Sequence, residues 1–97
     1  MHDGSVARGD AWLARHIEPY AQWAMKHNSL LIVTWDEDDG SADNRVATLL
    51  LGPMVSLGSS TQRINHYSIL RTIEEMYGLP YLGESKHAQP VSGIWRQ

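Results

Sequence analysis

Four consecutive acids, Asp36 to Asp39, directly follow a run of apolar and β-branched residues, Leu30–Trp35. Carboxylate oxygens are the ligands that hard divalent cations prefer. In open α/β sheets, ligands bind beyond the carboxyl ends of strands, which is where Asp36 and Glu37 fall. The alternative is a solvated turn, since Asp-Asp-Gly is favourable turn chemistry. The spacing alone leaves both interpretations open.

Composition removes several other classes of site. The chain has 97 residues, enough for one small domain, which we take as residues 1–97. It contains no cysteine, so a disulfide framework, a thiolate zinc site and a cysteine nucleophile are excluded. The net charge is −3 and the 8 Lys and Arg residues are scattered, which argues against nucleic-acid binding. The longest apolar runs are shorter than the roughly 18 residues of a transmembrane segment.

The first half of the chain predicts one interrupted helix and two strands. Helical spacing of apolar residues starts near Asp10, a candidate cap, and ends at His27-Asn28, with a break expected at Pro19. Leu30–Trp35 and Val46–Leu51 are almost continuously apolar or β-branched. That pattern is typical of strands covered on both faces, as in a parallel sheet.

The second half predicts a helix over Asn65–Tyr77, capped by Asn65 and stopped by Gly78. Glu74 and Glu75 are expected to point away from the core or to lie at its border. The residues expected on the inner face are Ile69, Leu70, Ile73 and Met76. The tail reads as a loop, except for Ile94-Trp95, which is expected to dock. The fold class is therefore α/β, with two buried strands flanked by helices.

The positions of the five histidines do not by themselves indicate a catalytic or metal-binding role. His16 and His27 lie on the first predicted helix, where surface or helix-end roles are expected. His87 lies in the tail, and His2 lies near the start of the chain. His66 follows the helix cap Asn65, so a structural hydrogen bond is the default interpretation. No glycine-rich phosphate loop, His-Glu-x-x-His pattern or Ser-His-Asp order is present.

Several stretches, taken in order, resemble the C-terminal part of the bacterial phosphoesterase family. This family includes acid phosphatases and phospholipases C and belongs to the alkaline-phosphatase superfamily. The resemblance covers nearly the whole chain, from His2 to Trp95. The matching stretches are HDGSVARGDAWL, SLLIVTWDEDDG, NRVATLLLGPMV, NHYSILRTIEEMYGLPYLG and IW.

The resemblance implies the C-terminal part of an alkaline-phosphatase-like α/β sandwich that hydrolyses phosphate esters through a covalent phospho-enzyme. A divalent metal ion (Ca, Mg, Mn or Zn) would activate a serine or threonine hydroxyl. The family's strand-end acidic pair, which supplies metal ligands, corresponds to Asp36 and Glu37. Its phosphate-side histidine corresponds to His2. His66 either reaches the metal or orients its helix, and the structural role is favoured. Asp38 and Asp39 are expected to form the solvated turn behind the ligands.

The chain also departs from the family pattern. Asn44 stands where many members carry a histidine, which leaves its role open. No nucleophile motif is present, and serines such as Ser5 and Ser29 stand in other motifs. Met1 is interpreted as an internal codon or the edge of an incomplete gene. We therefore expect the last third or less of an enzyme, inactive in isolation. Its substrates would be phosphate monoesters or phospholipid head groups, and by family habit the complete protein would be secreted or periplasmic.

The alternative function is non-catalytic. The chain would then be a small α/β module that binds a protein partner or forms homo-oligomers. The surfaces responsible would be those that the missing strands of the complete fold would have covered.

Overall fold

The computed structural model describes residues 4–38, 40 and 43–96. The elements, in chain order, are α1 (Val6–His16), α2 (Glu18–Lys26), β1 (Leu31–Thr34), β2 (Thr48–Leu51), α3 (His66–Tyr77) and a 3₁₀ helix, Gly83–His87. The predicted α/β class is confirmed. The chain divides into two units, the first running to Val55 and including Arg96, the second comprising Ser56–Trp95. Within the described residues, no helix is both long and apolar enough to span a bilayer.

The predicted break of the first helix is confirmed. Helix α1 ends at His16, Ile17 links the two helices, and Pro19 lies in the first turn of α2, where its missing amide costs nothing. The predicted start at Asp10 is wrong. The Ser5 hydroxyl accepts a hydrogen bond from the Arg8 amide at 3.1 Å, so the helix begins before Asp10.

The two strands form an antiparallel pair, with Leu31 opposite Leu51 and Thr34 opposite Thr48. The expectation of parallel, buried strands is therefore wrong. No residue of either strand is fully buried, and Leu49 is 49% exposed. Helix α2 packs against β2, burying its own alanines, Ala21 and Ala24. A continuous apolar run does not distinguish strand direction, and in this chain it marks strands that are covered only in part.

Helix α3 agrees with its predicted bounds because both ends are set by local chemistry. The Asn65 side chain accepts from the Ser68 amide, and the Ser68 hydroxyl accepts from the Asn65 amide, each at 3.1 Å. This reciprocal pair satisfies two amides that have no partner inside the helix. At the other end Gly78 adopts φ +63°, a left-handed conformation that glycine reaches without strain.

The buried face of α3 differs from the prediction. Leu70 and Met76, expected inside, are 36% and 45% exposed, whereas Glu74 is 2% exposed. The Glu74 carboxylate accepts from the Ser85 hydroxyl at 2.6 Å and from the Leu82 amide at 2.9 Å. The prediction failed because the donors lie in the next segment of the chain, which helical periodicity does not reveal.

That segment is also more ordered than the predicted loop. It contains the 3₁₀ helix, and beyond it the Val91 amide donates to the Thr72 hydroxyl at 2.9 Å. The Trp95 indole donates to the Val91 carbonyl at 3.0 Å, while the Ile94 carbonyl accepts from the Ser56 amide at 2.7 Å. The expected docking of Ile94-Trp95 is confirmed.

A second contact between α3 and this segment lies in a more exposed environment. Arg71 donates to Glu75 at 2.9 Å and to the Lys86 carbonyl at 2.9 Å, and its guanidinium lies 3.9 Å from the centre of the Tyr81 ring. The hydrogen bond to Glu75 raises the pKa of Arg71 above its usual range. Arg71 therefore stays cationic at any physiological pH, and this pair adds no pH dependence there.

The neighbouring acids Glu74 and Glu75 provide a matched test of burial. Glu74→Ala leaves the Leu82 amide without its acceptor and leaves the Ser85 hydroxyl with the Leu82 carbonyl as its remaining acceptor, so we expect a loss of about 2 kcal/mol in the free energy of unfolding. Glu75→Ala removes a partly exposed ion pair and should cost less than about 1 kcal/mol. Urea unfolding followed by far-UV circular dichroism measures both. Equal losses would show that the Glu74 contacts do not hold the segment.

Candidate functional site

The candidate site begins where the β1–β2 ladder ends. The Thr34 and Thr48 hydroxyls lie 2.9 Å apart, and the Trp35 amide donates to the Ala47 carbonyl at 3.4 Å. These contacts hold the two chain segments together at the base of the connecting loop. Asp36 therefore leaves the sheet from a fixed point at the carboxyl end of β1, as the sequence predicted.

Asp36 and Glu37 are adjacent and exposed. The backbone bends at both residues, and the Asp36 carboxylate accepts from the Glu37 amide at 3.0 Å. Their oxygens fit a hard divalent cation in chemical type. Within residues 4–38, 40 and 43–96, no three His, Asp or Glu side chains converge as a metal site would require. The pair fits part of a ligand set, and a complete set would need further donors.

Asp38 plays a different part from the solvated turn residue that we expected. It is half-buried, and the Gly40 and Asn44 amides donate to its carboxylate. The Gly40 amide donates to one oxygen at 2.9 Å, and the Asn44 amide donates to the other at 2.6 Å. Asp39, which was predicted to share this turn, lies outside the described residues.

Asn44 completes the contact from the other side. Its side-chain oxygen accepts from the Asp38 amide at 3.3 Å, so the two residues bond reciprocally across the loop. Asp43 and Asn44 have φ of +54° and +57°, a left-handed backbone that Asp and Asn tolerate better than most residues. The signal in the sequence is this pair of turn-forming residues, Asp43-Asn44, which close the loop that begins with the acids.

The other two candidates are His66 and His2. His66 is the first residue of α3, exposed, and belongs to the second unit, whereas Asp36 and Glu37 belong to the first. The capping of α3 is carried out by Asn65 and Ser68, so His66 is not the N-cap residue. His2 lies outside the described residues, and its catalytic role stays a prediction.

The helix histidines have the end positions that the sequence predicted. His16 is the last residue of α1, with its ring 4.8 Å from that of Trp12. His27 follows α2 and stacks on Trp23, with 4.2 Å between ring centres. The Nδ1 atom of His27 lies 2.8 Å from the Trp23 carbonyl, a typical side-chain contact at a helix C-terminus. These contacts give both residues a structural role.

Comparison with known proteins decides the family. A model of the Phosphoesterase family matches residues 1–80. The chain belongs to this family. The resemblance seen in the sequence motifs is therefore confirmed, and Asp36 and Glu37 fall within the matched part of this phosphoesterase-family chain.

A named relative comes from Mycobacterium tuberculosis and is called phosphatidylinositol-3-phosphatase. It is 53% identical over 95 residues, which is 98% of this chain and 32% of the relative. The chain thus spans about a third of the relative's length. No solved structure matches the chain.

Proposed function

We propose that this chain contributes the strand-end part of a metal-dependent phosphoesterase site. The observation that carries the proposal is the adjacent, exposed pair Asp36 and Glu37 at the end of β1, in a chain whose residues 1–80 match the Phosphoesterase family. The reaction is hydrolysis of a phosphate ester. The proposal assigns no nucleophile to these 97 residues.

The roles of the chain's own residues follow from their chemistry. Asp36 and Glu37 bind a divalent cation (Ca, Mg, Mn or Zn) through carboxylate oxygens and partly neutralise its charge. A cation bound there supplies Lewis acidity toward a phosphoryl oxygen. His2 donates a hydrogen bond to the phosphate or a proton to the leaving group. His66 is left with an orienting role on α3.

The relative's name narrows the substrate class. A phosphatidylinositol-3-phosphatase hydrolyses a phosphate monoester on a lipid head group, so we propose phosphomonoester hydrolysis, as in acid phosphatases, as the reaction of the complete site. Cleavage of a phospholipid diester, as by a phospholipase C, is the other reaction class. The two differ in the bond broken, since the first releases inorganic phosphate and the second releases a phosphorylated head group.

Metal binding is tested by isothermal titration of the 97-residue chain with Mn²⁺. Asp36→Asn removes one anionic ligand and should abolish the saturable binding that the wild-type chain shows. The matched control is Asp43→Asn, which removes the same charge from the same loop. Because an exposed charge contributes at most about 1 kcal/mol, the control should weaken binding less than about fivefold. Equal Mn²⁺ affinity in the wild type and in Asp36→Asn would contradict the assignment of Asp36 as a metal ligand.

Hydrolysis is tested in a chimera in which this chain replaces the matching third of the Mycobacterium tuberculosis relative. We expect the chimera to release inorganic phosphate from phosphatidylinositol 3-phosphate. Asp36→Asn in the chimera should lower that rate by about a hundredfold or more, since a metal ligand is lost. Asp43→Asn again serves as the control, and circular dichroism checks folding. A folded Asp36→Asn chimera with an unchanged rate contradicts the proposal.

Exposed apolar surface favours a second candidate, binding to a protein partner or to further copies of the chain. The described apolar residues that are buried are Ala21, Ala24 and Val91, whereas Trp12, Trp23 and Leu57 are 53%, 46% and 94% exposed. Large exposed apolar patches mark interaction surfaces. We expect size-exclusion chromatography with light scattering to show dimers or larger species at micromolar concentration. A monomer at every concentration would remove the homo-oligomer from consideration.

A further inference from the structure

Three hydrogen bonds between side chains and backbone organise the loop immediately after the acidic pair. The Asp38 carboxylate accepts from the Gly40 amide at 2.9 Å and from the Asn44 amide at 2.6 Å. The Asn44 side-chain oxygen accepts from the Asp38 amide at 3.3 Å. Asp38 and Asn44 therefore bond reciprocally, and the loop backbone between Glu37 and β2 is tied at Asp38.

We call the reciprocal hydrogen bonds between Asp38 and Asn44 the tie. The tie follows Asp36 and Glu37 in the chain, whereas strand β1 precedes them. Before them, the Trp35 amide donates to the Ala47 carbonyl, and after them Asp38 is held by Asn44. Asp36 and Glu37 thus lie between two fixed points. Their backbone is held by these two contacts and by the Glu37 amide, which donates to the Asp36 carboxylate at 3.0 Å.

The direction of the backbone matters for binding by two adjacent residues. In an extended strand, successive side chains point to opposite faces, so neighbouring acids would point apart. The chain bends at Asp36 and Glu37, which removes that alternation. Two neighbouring carboxylates reach one cation only while the bend is kept.

We propose that Asp38 and Asn44 are positioning residues that keep this bend and so orient Asp36 and Glu37 toward one cation. The inference rests on the proposed function, because it assumes that the pair binds a metal. It gives Asn44 a role of its own at the position where family members often carry histidine. Asparagine suits that role, since its amide oxygen accepts from Asp38 and its backbone tolerates φ of +57°.

The test is a Mn²⁺ titration of the 97-residue chain with substitutions at the tie. Asn44→Gly removes the side-chain acceptor, leaves the charge unchanged and tolerates the left-handed backbone. We expect it to weaken Mn²⁺ binding about tenfold or more, the usual effect of losing a residue that supports metal ligands. Asn44→Asp keeps the acceptor oxygen and should bind at least as tightly as the wild type.

The matched control is Asp43→Gly. Asp43 is exposed, has the same left-handed backbone as Asn44, and makes no side-chain hydrogen bond to the described residues. The substitution frees the backbone as Asn44→Gly does and in addition removes a negative charge. If flexibility or charge alone governed binding, Asp43→Gly would be affected at least as strongly. We expect a smaller loss, below about fivefold.

A second readout needs no metal. Amide hydrogen exchange at residue 44, followed by NMR, should accelerate in Asp38→Ala, because the acceptor of the 2.6 Å bond is gone. Wild-type exchange in that variant would overturn the tie itself. An Asn44→Gly variant that binds Mn²⁺ as tightly as the wild type does, or that is weakened no more than Asp43→Gly, would overturn the positioning role alone. If Mn²⁺ binding is absent or survives Asp36→Asn, the proposed function fails and the inference fails with it.

Discussion

The antiparallel pairing of β1 with β2 is the constraint on which the candidate site depends. Thr34 faces Thr48 at the last rung of the ladder, and the Trp35 amide continues the pairing beyond it. A shift of one residue would turn every side chain of a strand to the opposite face. The register therefore determines which residue is the first beyond the paired strands. In this chain that residue is Trp35, and Asp36 and Glu37 follow it directly.

In the loop that follows the strand, the acidic side chains differ in exposure and in hydrogen bonding. Asp36 and Glu37 are exposed, whereas Asp38 is half-buried and accepts hydrogen bonds from the Gly40 and Asn44 amides. The tasks differ because a carboxylate that accepts two short hydrogen bonds from its own chain has fewer lone pairs left for a cation. The adjacent acids Asp36, Glu37 and Asp38 are thus not equivalent.

Local chemistry explains which parts of the fold were predictable from sequence. Asn65, Ser68 and Gly78 set the ends of α3 through contacts within a few residues, and Pro19 set the break before α2. The start of α1 was missed because Ser5 and Asp10 can both cap a helix, and composition does not choose between them. Strand direction was missed because an apolar run has the same pattern in either orientation.

The site shows the same division between local and long-range information. The position of Asp36 and Glu37 at a strand end followed from residue order, and the family of the chain was recognised from its motifs. The hydrogen-bonding role of Asp38 was not predictable from the sequence. It depends on Asn44, which contacts Asp38 only when the loop is folded. The sequence shows which residue types follow a strand, but it does not show which of them is held by backbone hydrogen bonds.

Glu74 has a consequence for how the second unit selects its packing. The segment after α3 could slide along an amphipathic helix with little change in apolar contact, because dispersion forces are not directional. A buried carboxylate is directional, and one alignment gives its two oxygens the Ser85 hydroxyl and the Leu82 amide. In a shifted alignment the carboxylate would lose its donors while still buried, at a cost of about 1–3 kcal/mol for each group left unsatisfied. Glu74 therefore selects one alignment of the segment: its hydrogen bonds stabilise the native packing, and their loss raises the energy of shifted packings.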